Sequence, residues 1–380
     1  MSEIRILQIN AGSKNFGGVS AFLLNLYRNI DREKINFDFL TPNKTTYEKY
    51  RSEIEECRGK IYEFGINSSS YKGKKKLQKE LSVFLSEHEY DIIQVNSGVL
   101  SFNCMVAKTC RKYSNAGIIV HSHNNGGRSS FKEMLSAPFK KKVVKNADKL
   151  LACSRSAAEY MFPEKEALND TIVIKNGIDT QKFAFSPEVR QKLRRELGIE
   201  NKYVVGNVGR FMPQKNHSFM LDVFSKLVKK EPDAVLMLIG EGELTEEIKR
   251  KANDLGIKDK VMFMGLKQDI ENYYQAMDVF FLPSVFEGLG IVNIEAQAAG
   301  LHCVVSDKVP PDADAAGMIK YLSLSAPEEE WINALLEHRN DPREDGSKKI
   351  EAAGFDIIST CKDMTEIYNE LYNTKKLIKS

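Results

Sequence analysis

Two glutamates, Glu287 and Glu295, stand eight positions apart in SVFEGLGIVNIEAQAAG (284–300), directly behind the apolar run DVFFLP. Gly288 and Gly290 flank the first and leave bare backbone amides for a ligand to approach. Glu295 falls about two helical turns further along, within the helix that follows. A carboxylate accepts hydrogen bonds at both oxygens, so it suits vicinal hydroxyls such as those of a ribose or a sugar. An acid/base pair would also use two carboxylates, but it needs both to flank one bond. That is hard with one on a loop tip and one inside a helix. Upstream, GRFMPQKNHS brackets a loop with Arg210 and Lys215 after another strand pattern. Two cations beside helix-start amides fit a diphosphate without needing a metal.

Other loops carry weaker signals. In NAGSKNFGGVSAF, Gly17 and Gly18 precede a helix pattern, where a plain turn and an anion- or hydroxyl-binding helix start are both open readings. His121 and His123 lie at i and i+2 on an extended segment ahead of Asn124, Asn125, Gly126 and Gly127, so they project to one side. No third ligand accompanies them, so a polar contact to substrate is favoured over a metal pair. Asp312 and Asp314 form an Asp-x-Asp in PPDADAAG, read as a loop.

The elements that must position these groups follow from the apolar pattern. IRILQIN (4–10), INFDFLT (35–41), DIIQV (91–95), GIIVHSH (117–123), KLLAC (149–153) and TIVIK (171–175) alternate with amphipathic stretches. The pattern restarts with YVVGNVGR (203–210), AVLMLIG (234–240), KVMFMG (260–265), DVFFLP (278–283) and HCVVSD (302–307). Near-continuous apolar strands separated by helices predict parallel sheets covered on both faces. The expected architecture is α/β, with two Rossmann-like doubly wound domains, at 1–180 and 181–359. A C-terminal helix over about 360–380 is expected to pack back on the first. The 380-residue length accommodates two cores.

A net charge of +3 argues against a general nucleic-acid binder. The lysines nevertheless cluster: Lys72, Lys74, Lys75 and Lys76, then Lys140, Lys141, Lys142 and Lys145 near Phe131, Met134, Leu135 and Phe139. A solvated helix face and a face resting on anionic lipid are both compatible with them. The six cysteines are scattered with no CxxC pair, as in a reduced, cytoplasmic protein with neither disulfides nor a metal site. The sequence enters a strand pattern at once, without a signal-peptide pattern, and no apolar run reaches the length of a membrane span.

GRFMPQKNH with FEGLGIVNIEAQAAGL resembles the retaining glycosyltransferases of family 4, whose fold is GT-B. FGGVSAF, HSHN, LLACS, KNGIDTQKF and MFMGLKQDIENYYQAMDVFFLPS are similar in the same order. The likeness is to the subgroup that builds bacterial capsular and exopolysaccharides. It implies two domains facing each other across a cleft, a nucleotide-sugar donor (UDP first) and a lipid-linked glycan acceptor. It implies no cofactor and no metal. Arg210 and Lys215 would then hold the diphosphate, Glu295 the ribose diol and Glu287 the sugar hydroxyls. Backbone at Leu289, Gly290 and Ile291 would touch sugar and phosphate, Gly17 and Gly18 would cover the diphosphate, and His123 would meet the sugar, with His121 as competitor. Ile291 and Val292 stand where many members have a proline. On this reading Lys215→Ala or Glu295→Ala abolishes transfer with the fold intact. A nucleotide-sugar epimerase or hydrolase, and a non-catalytic nucleotide-sugar-binding protein, are the competing expectations.

Overall fold

The computed structural model describes residues 3–10, 17–44, 46–123, 137–162 and 165–379. The chain divides into two compact units: Met1–Gly177 with Ile357–Ser380, and Ile178–Asp356.

The first unit holds a seven-stranded, wholly parallel sheet: β1 (Ile4–Asn10), β2 (Ile35–Thr41), β3 (Ile61–Glu63), β4 (Ile92–Asn96), β5 (Gly117–Ser122), β6 (Lys149–Ala152) and β7 (Ile172–Val173). Their spatial order is β3-β2-β1-β4-β5-β6-β7. Helices α1 (Gly18–Asn29), α2 (Tyr71–Glu87), α3 (Leu100–Tyr113) and α4 (Ala137–Asn146) flank it. One face of the sheet, through Leu7, Ile93, Val95 and Val120, packs on Leu77 and Leu81 of α2, Val106 of α3 and Val143 of α4. The other, through Ile6, Phe37 and Ile119, packs on Leu23 and Leu26 of α1. Met364, Tyr368 and Leu371 of the C-terminal helix Ile357–Lys379 join this second core.

The second unit repeats the plan with six parallel strands: β8 (Tyr203–Val208), β9 (Ala234–Ile239), β10 (Val261–Gly265), β11 (Val279–Leu282), β12 (Cys303–Ser306) and β13 (Ile319–Leu322), in the order β10-β9-β8-β11-β12-β13. Helices α5 (His217–Lys230), α6 (Ile270–Ala276) and α7 (Ile291–Ala298) matter for the site. β8, β9 and β11 are buried along their whole length, because both faces are covered.

The strands differ from the sequence reading in three places. The run 171–175 pairs only over Ile172–Val173. β3 and β13 are additional edge strands, and both are only partly buried. One lysine is also reassigned. Lys140 is buried, with its ammonium 5.0 Å from the centre of the Tyr160 ring, so it leaves the basic face that Lys141, Lys142 and Lys145 keep. Consecutive helical residues turn by about 100°, so a run of lysines cannot share one face.

Each sheet has one point where the strand order reverses, between β1 and β4 and between β8 and β11. Ligands of doubly wound sheets bind beyond the carboxyl ends of the strands at such points. The predicted groups follow β1, β5, β8 and β11, at or beside these reversals.

Candidate active site

In the second unit, Arg210 and Lys215 come from the loop after β8, Glu287 from the loop after β11, and Glu295 from α7. The two loops are stitched together. Val285 N–H donates to Gln214 O (2.8 Å), Gln214 Nε2 to Phe286 O (2.9 Å), and Asn216 Nδ2 to Pro283 O (3.1 Å). Asn216 adopts the left-handed conformation (φ 56°) as N-cap of α5, which asparagine tolerates.

This stitching brings Lys215 Nζ to 2.7 Å from Glu287 Oε1. Both side chains are largely withdrawn from solvent, with exposures of 14% and 7%. Ser284 donates to the same oxygen at 2.6 Å, while among the described residues Glu287 Oε2 receives only a long contact from Gln214, 3.4 Å. Removing one partner of a buried pair strands the other charge, at a cost of about 3–5 kcal/mol. Lys215→Ala is therefore expected to lower stability as well as to remove a cation. Arg210 is half-buried, and its Nε is buried with no hydrogen-bond partner among the described residues.

Gly290, the N-cap of α7, sits at φ 76°, where a side chain is strained. A Cβ there would fall 2.8 Å from Asn293 Nδ2 and 3.5 Å from Glu287 Cγ. Leu289 points into the core and Ile291 is half-buried. Glu295 lies one turn further on. Burial raises its carboxyl to about 7, and Glu271 adds to the rise; a hydrogen bond from Tyr274 and the nearby Lys215 charge oppose it. Tyr274 Oη donates to Glu295 Oε2 at 2.7 Å.

Sequence reasoning missed Tyr274, a fully buried residue of α6 whose hydroxyl holds this carboxylate. Its own carbonyl is held by Arg343 Nη2 at 2.9 Å, and Arg343 Nη1 also donates to Gln275 O and Met277 O. A cation at a helix carboxyl end suits the macrodipole. His217 was also unread. It is buried against the Phe211 ring, both ring nitrogens lack partners among the described residues, and burial with the Lys215 charge lowers its pKa to about 3. Asp314 binds the backbone N–H groups of Met318 and Ile319, a turn-forming role.

In the first unit, Gly17 and Gly18 open α1, and none of the described residues stands within 4 Å of where their side chains would be. Phe22, one turn on, contacts the rings of both His121 and His123 at 5.5 Å. His121 is fully buried and His123 half-buried, with ring centres 4.0 Å apart. Burial takes the His123 pKa down to about 3 and holds His121 well below its ordinary value. Residues 124–127, and Phe131, Met134 and Leu135 of the basic cluster, lie outside the described residues. The structure thus brings Lys215 to Glu287 in one unit and Gly17, Gly18, His121 and His123 to one sheet edge in the other.

Two helix-flanked parallel sheets of seven and six strands, with cations and carboxylates on the strand-end loops, define the GT-B class of glycosyltransferase fold. The chain aligns over 97% of its length with the Anabaena Alr3699/HepE structure in complex with UDP-glucose (TM-score 0.75, 19% identity, all of that chain covered). Residues 16–182 match the model of Glycosyltransferase Family 4, and 189–345 that of Glycosyl transferases group 1. The chain belongs to this glycosyltransferase family and is a transferase enzyme. It is 29% identical over 385 residues to the putative glycosyltransferase EpsF of Bacillus subtilis, with 97% of each chain covered. It is also 29% identical over 234 residues, 59% of each chain, to the UDP-Gal:alpha-D-GlcNAc-diphosphoundecaprenol alpha-1,3-galactosyltransferase of Escherichia coli.

Proposed function

We propose that this glycosyltransferase moves a sugar from a nucleotide-diphosphate donor, UDP-linked in our reading, to a hydroxyl of a lipid-linked glycan, with retention at the anomeric carbon. The observation that carries the reading is the strand-end cluster after β8 and β11. A buried Lys215–Glu287 pair lies beside Gly290, the half-buried Arg210 leaves Nε unpartnered, and Glu295 is held by Tyr274. Arg210, Lys215 and the start of α7 would meet the diphosphate. Glu295 would take the ribose diol, and Glu287 would take sugar hydroxyls through its less occupied Oε2.

In the proposed reaction the bond from the anomeric carbon to the diphosphate oxygen breaks. A bond to the acceptor oxygen forms on the same face, and the acceptor proton passes to the departing phosphate. Positive charge grows on the sugar and negative charge on the diphosphate. Preorganised cations stabilise the latter, an effect worth about 3–4 kcal/mol for a single well-placed donor. The reading calls on protein cations for this work, with no metal and no cofactor.

The acceptor proposal draws on the first unit. α2, α3 and α4 form one helical layer that carries Lys72, Lys75, Lys76, Lys108, Lys112, Lys141, Lys142 and Lys145 in exposed positions, with Tyr71 and Phe139 exposed among them. Each lysine near an anionic bilayer adds about 1 kcal/mol, so a cytoplasmic enzyme resting peripherally on the inner membrane face fits. No described helix is long and apolar enough to cross a membrane.

The test is incubation with a panel of nucleotide sugars and undecaprenyl-linked acceptors, with the product's anomeric configuration read by NMR. Acceptor-dependent nucleotide release with retention is expected. Release independent of acceptor would support a hydrolase or epimerase, and binding without turnover a regulatory protein; either overturns the proposal.

A further inference from the structure

Beneath the histidines the first unit holds a closed ring of four neutral side chains from three elements. Gln8 Nε2 donates to Tyr368 Oη (3.1 Å), which donates to Gln94 Oε1 (2.6 Å). Gln94 Nε2 donates to Asn96 Oδ1 (2.8 Å), and Asn96 Nδ2 returns to Gln8 Oε1 (2.9 Å). All four side chains are fully buried.

Amide side chains can be turned end for end, so such a ring has two possible directions. One contact removes the choice. Asn96 Nδ2 also lies 3.2 Å from the backbone carbonyl of Gln94, which can only accept. This pins the nitrogen of Asn96, then its oxygen, and thereby every member in turn.

The direction of the ring reaches both histidines. Gln94 Nε2 spends its second hydrogen on His121 Nδ1 at 3.4 Å, so His121 carries its proton on Nε2. Asn96 Oδ1 faces His123 Nε2 at 3.5 Å and can only accept, so His123 is also protonated at Nε2. His123 Nδ1 is then a bare lone pair, buried and without a donor among the described residues.

We propose that Asn96 is the positioning residue for His123, and that the ring holds His123 as the Nε2–H tautomer so that its ligand must offer a hydrogen-bond donor. A sugar hydroxyl meets that demand; a phosphate oxygen does not. His123 is therefore assigned to a hydroxyl and excluded from the diphosphate. The identity of that hydroxyl rests on the transferase reading, whereas the tautomer does not.

Long-range proton–nitrogen NMR of the full chain with labelled histidine tests this, with His121→Gln and His123→Gln assigning the signals. The expected pattern is a protonated Nε2 and a bare Nδ1 on both rings, unchanged from pH 6 to 8. A protonated Nδ1 on His123, or an imidazolium at neutral pH, overturns the proposal. In Asn96→Ala the His123 signal should become a mixture of tautomers, and transfer should fall about tenfold, the scale of one misdirected hydrogen bond. The double variant Asn96→Ala/His123→Ala should be no worse than His123→Ala alone; additive losses would make Asn96 merely structural and overturn its role. Should Asn96→Ala fail to fold, the wild-type spectrum still decides. The expected spectrum without sugar transfer would sink the transferase reading and leave the tautomer standing.

Discussion

At the carboxyl edge of the first unit's sheet, the neutral side chains of Gln8, Tyr368, Gln94 and Asn96 satisfy one another around a ring, while His121 Nε2 and His123 Nδ1 lack partners among the described residues. At the matching edge of the second unit the groups are ionic, and many are left open. Lys215 and Glu287 form a buried pair, while Arg210 Nε, Asn207 Oδ1, the Asn293 amide and both nitrogens of His217 lack partners among the described residues. A closed neutral network gains nothing from an anion and fits an uncharged hydroxyl. The open donors among these, Arg210 Nε and Asn293 Nδ2, gain with the buried Lys215 from a ligand with negative charge, because an unpaired buried polar group is costly until something meets it. The same doubly wound scaffold has thus been finished in two ways, one for orientation and one for charge.

The sharpest way to break this contrast is at Lys215. Lys215→Ala should lower stability by about 3–5 kcal/mol in denaturant titration and reduce sugar transfer by a hundredfold or more. The paired change Lys215→Met/Glu287→Gln should recover most of the stability but none of the transfer. A single variant as stable as wild type would mean that the pair is not electrostatically committed. Next in size, Tyr368→Phe should cost about 1–3 kcal/mol, since Gln8 Nε2 and Gln94 Oε1 lose their partner. On the proposed reading, affinity for UDP, which lacks the sugar, should stay unchanged in that variant; loss of binding would show that the neutral edge is not separable from the ionic one.

The smallest effect concerns Glu295. Its carboxyl is raised to about 7, so the folded protein holds that proton more tightly than the unfolded chain. The stability it contributes is full below the ordinary carboxylate range and is lost as pH rises through about 7. Ligand binding runs the opposite way, because only the carboxylate accepts from both hydroxyls of a diol. If the proposed ribose contact holds, UDP should bind about tenfold tighter at pH 8 than at pH 6 by calorimetry, and Glu295→Gln should flatten the profile. An equal slope in that variant would remove Glu295 from the ribose contact.

Much of the fold was legible because its central strands are apolar almost throughout, as both-face burial demands. β3 and β13 escaped because edge strands lack that demand: IYE and IKYL are short and half-buried. Arg210, Lys215, Glu287 and Glu295 were legible from position, being polar residues on loops and a helix behind apolar strands. Tyr274 was not, since a buried aromatic in a helix looks like core until its hydroxyl is seen on Glu295. The ring did leave a trace. Gln8, Gln94 and Asn96 interrupt IRILQIN and DIIQVN at positions where a covered strand should be apolar.

The return of the last helix to the first sheet bears on how the chain is made. Ile178 N–H donates to Phe355 O at 2.8 Å, so the two connecting segments run side by side out of the second unit. Ile357, Met364, Tyr368 and Leu371 belong to the core laid down around β1 and β2. During translation the domain that starts emerging first is therefore the last to be completed. It waits, one face covered only in part by α1, until some two hundred further residues have left the ribosome, a delay of about 10–40 seconds at common elongation speeds.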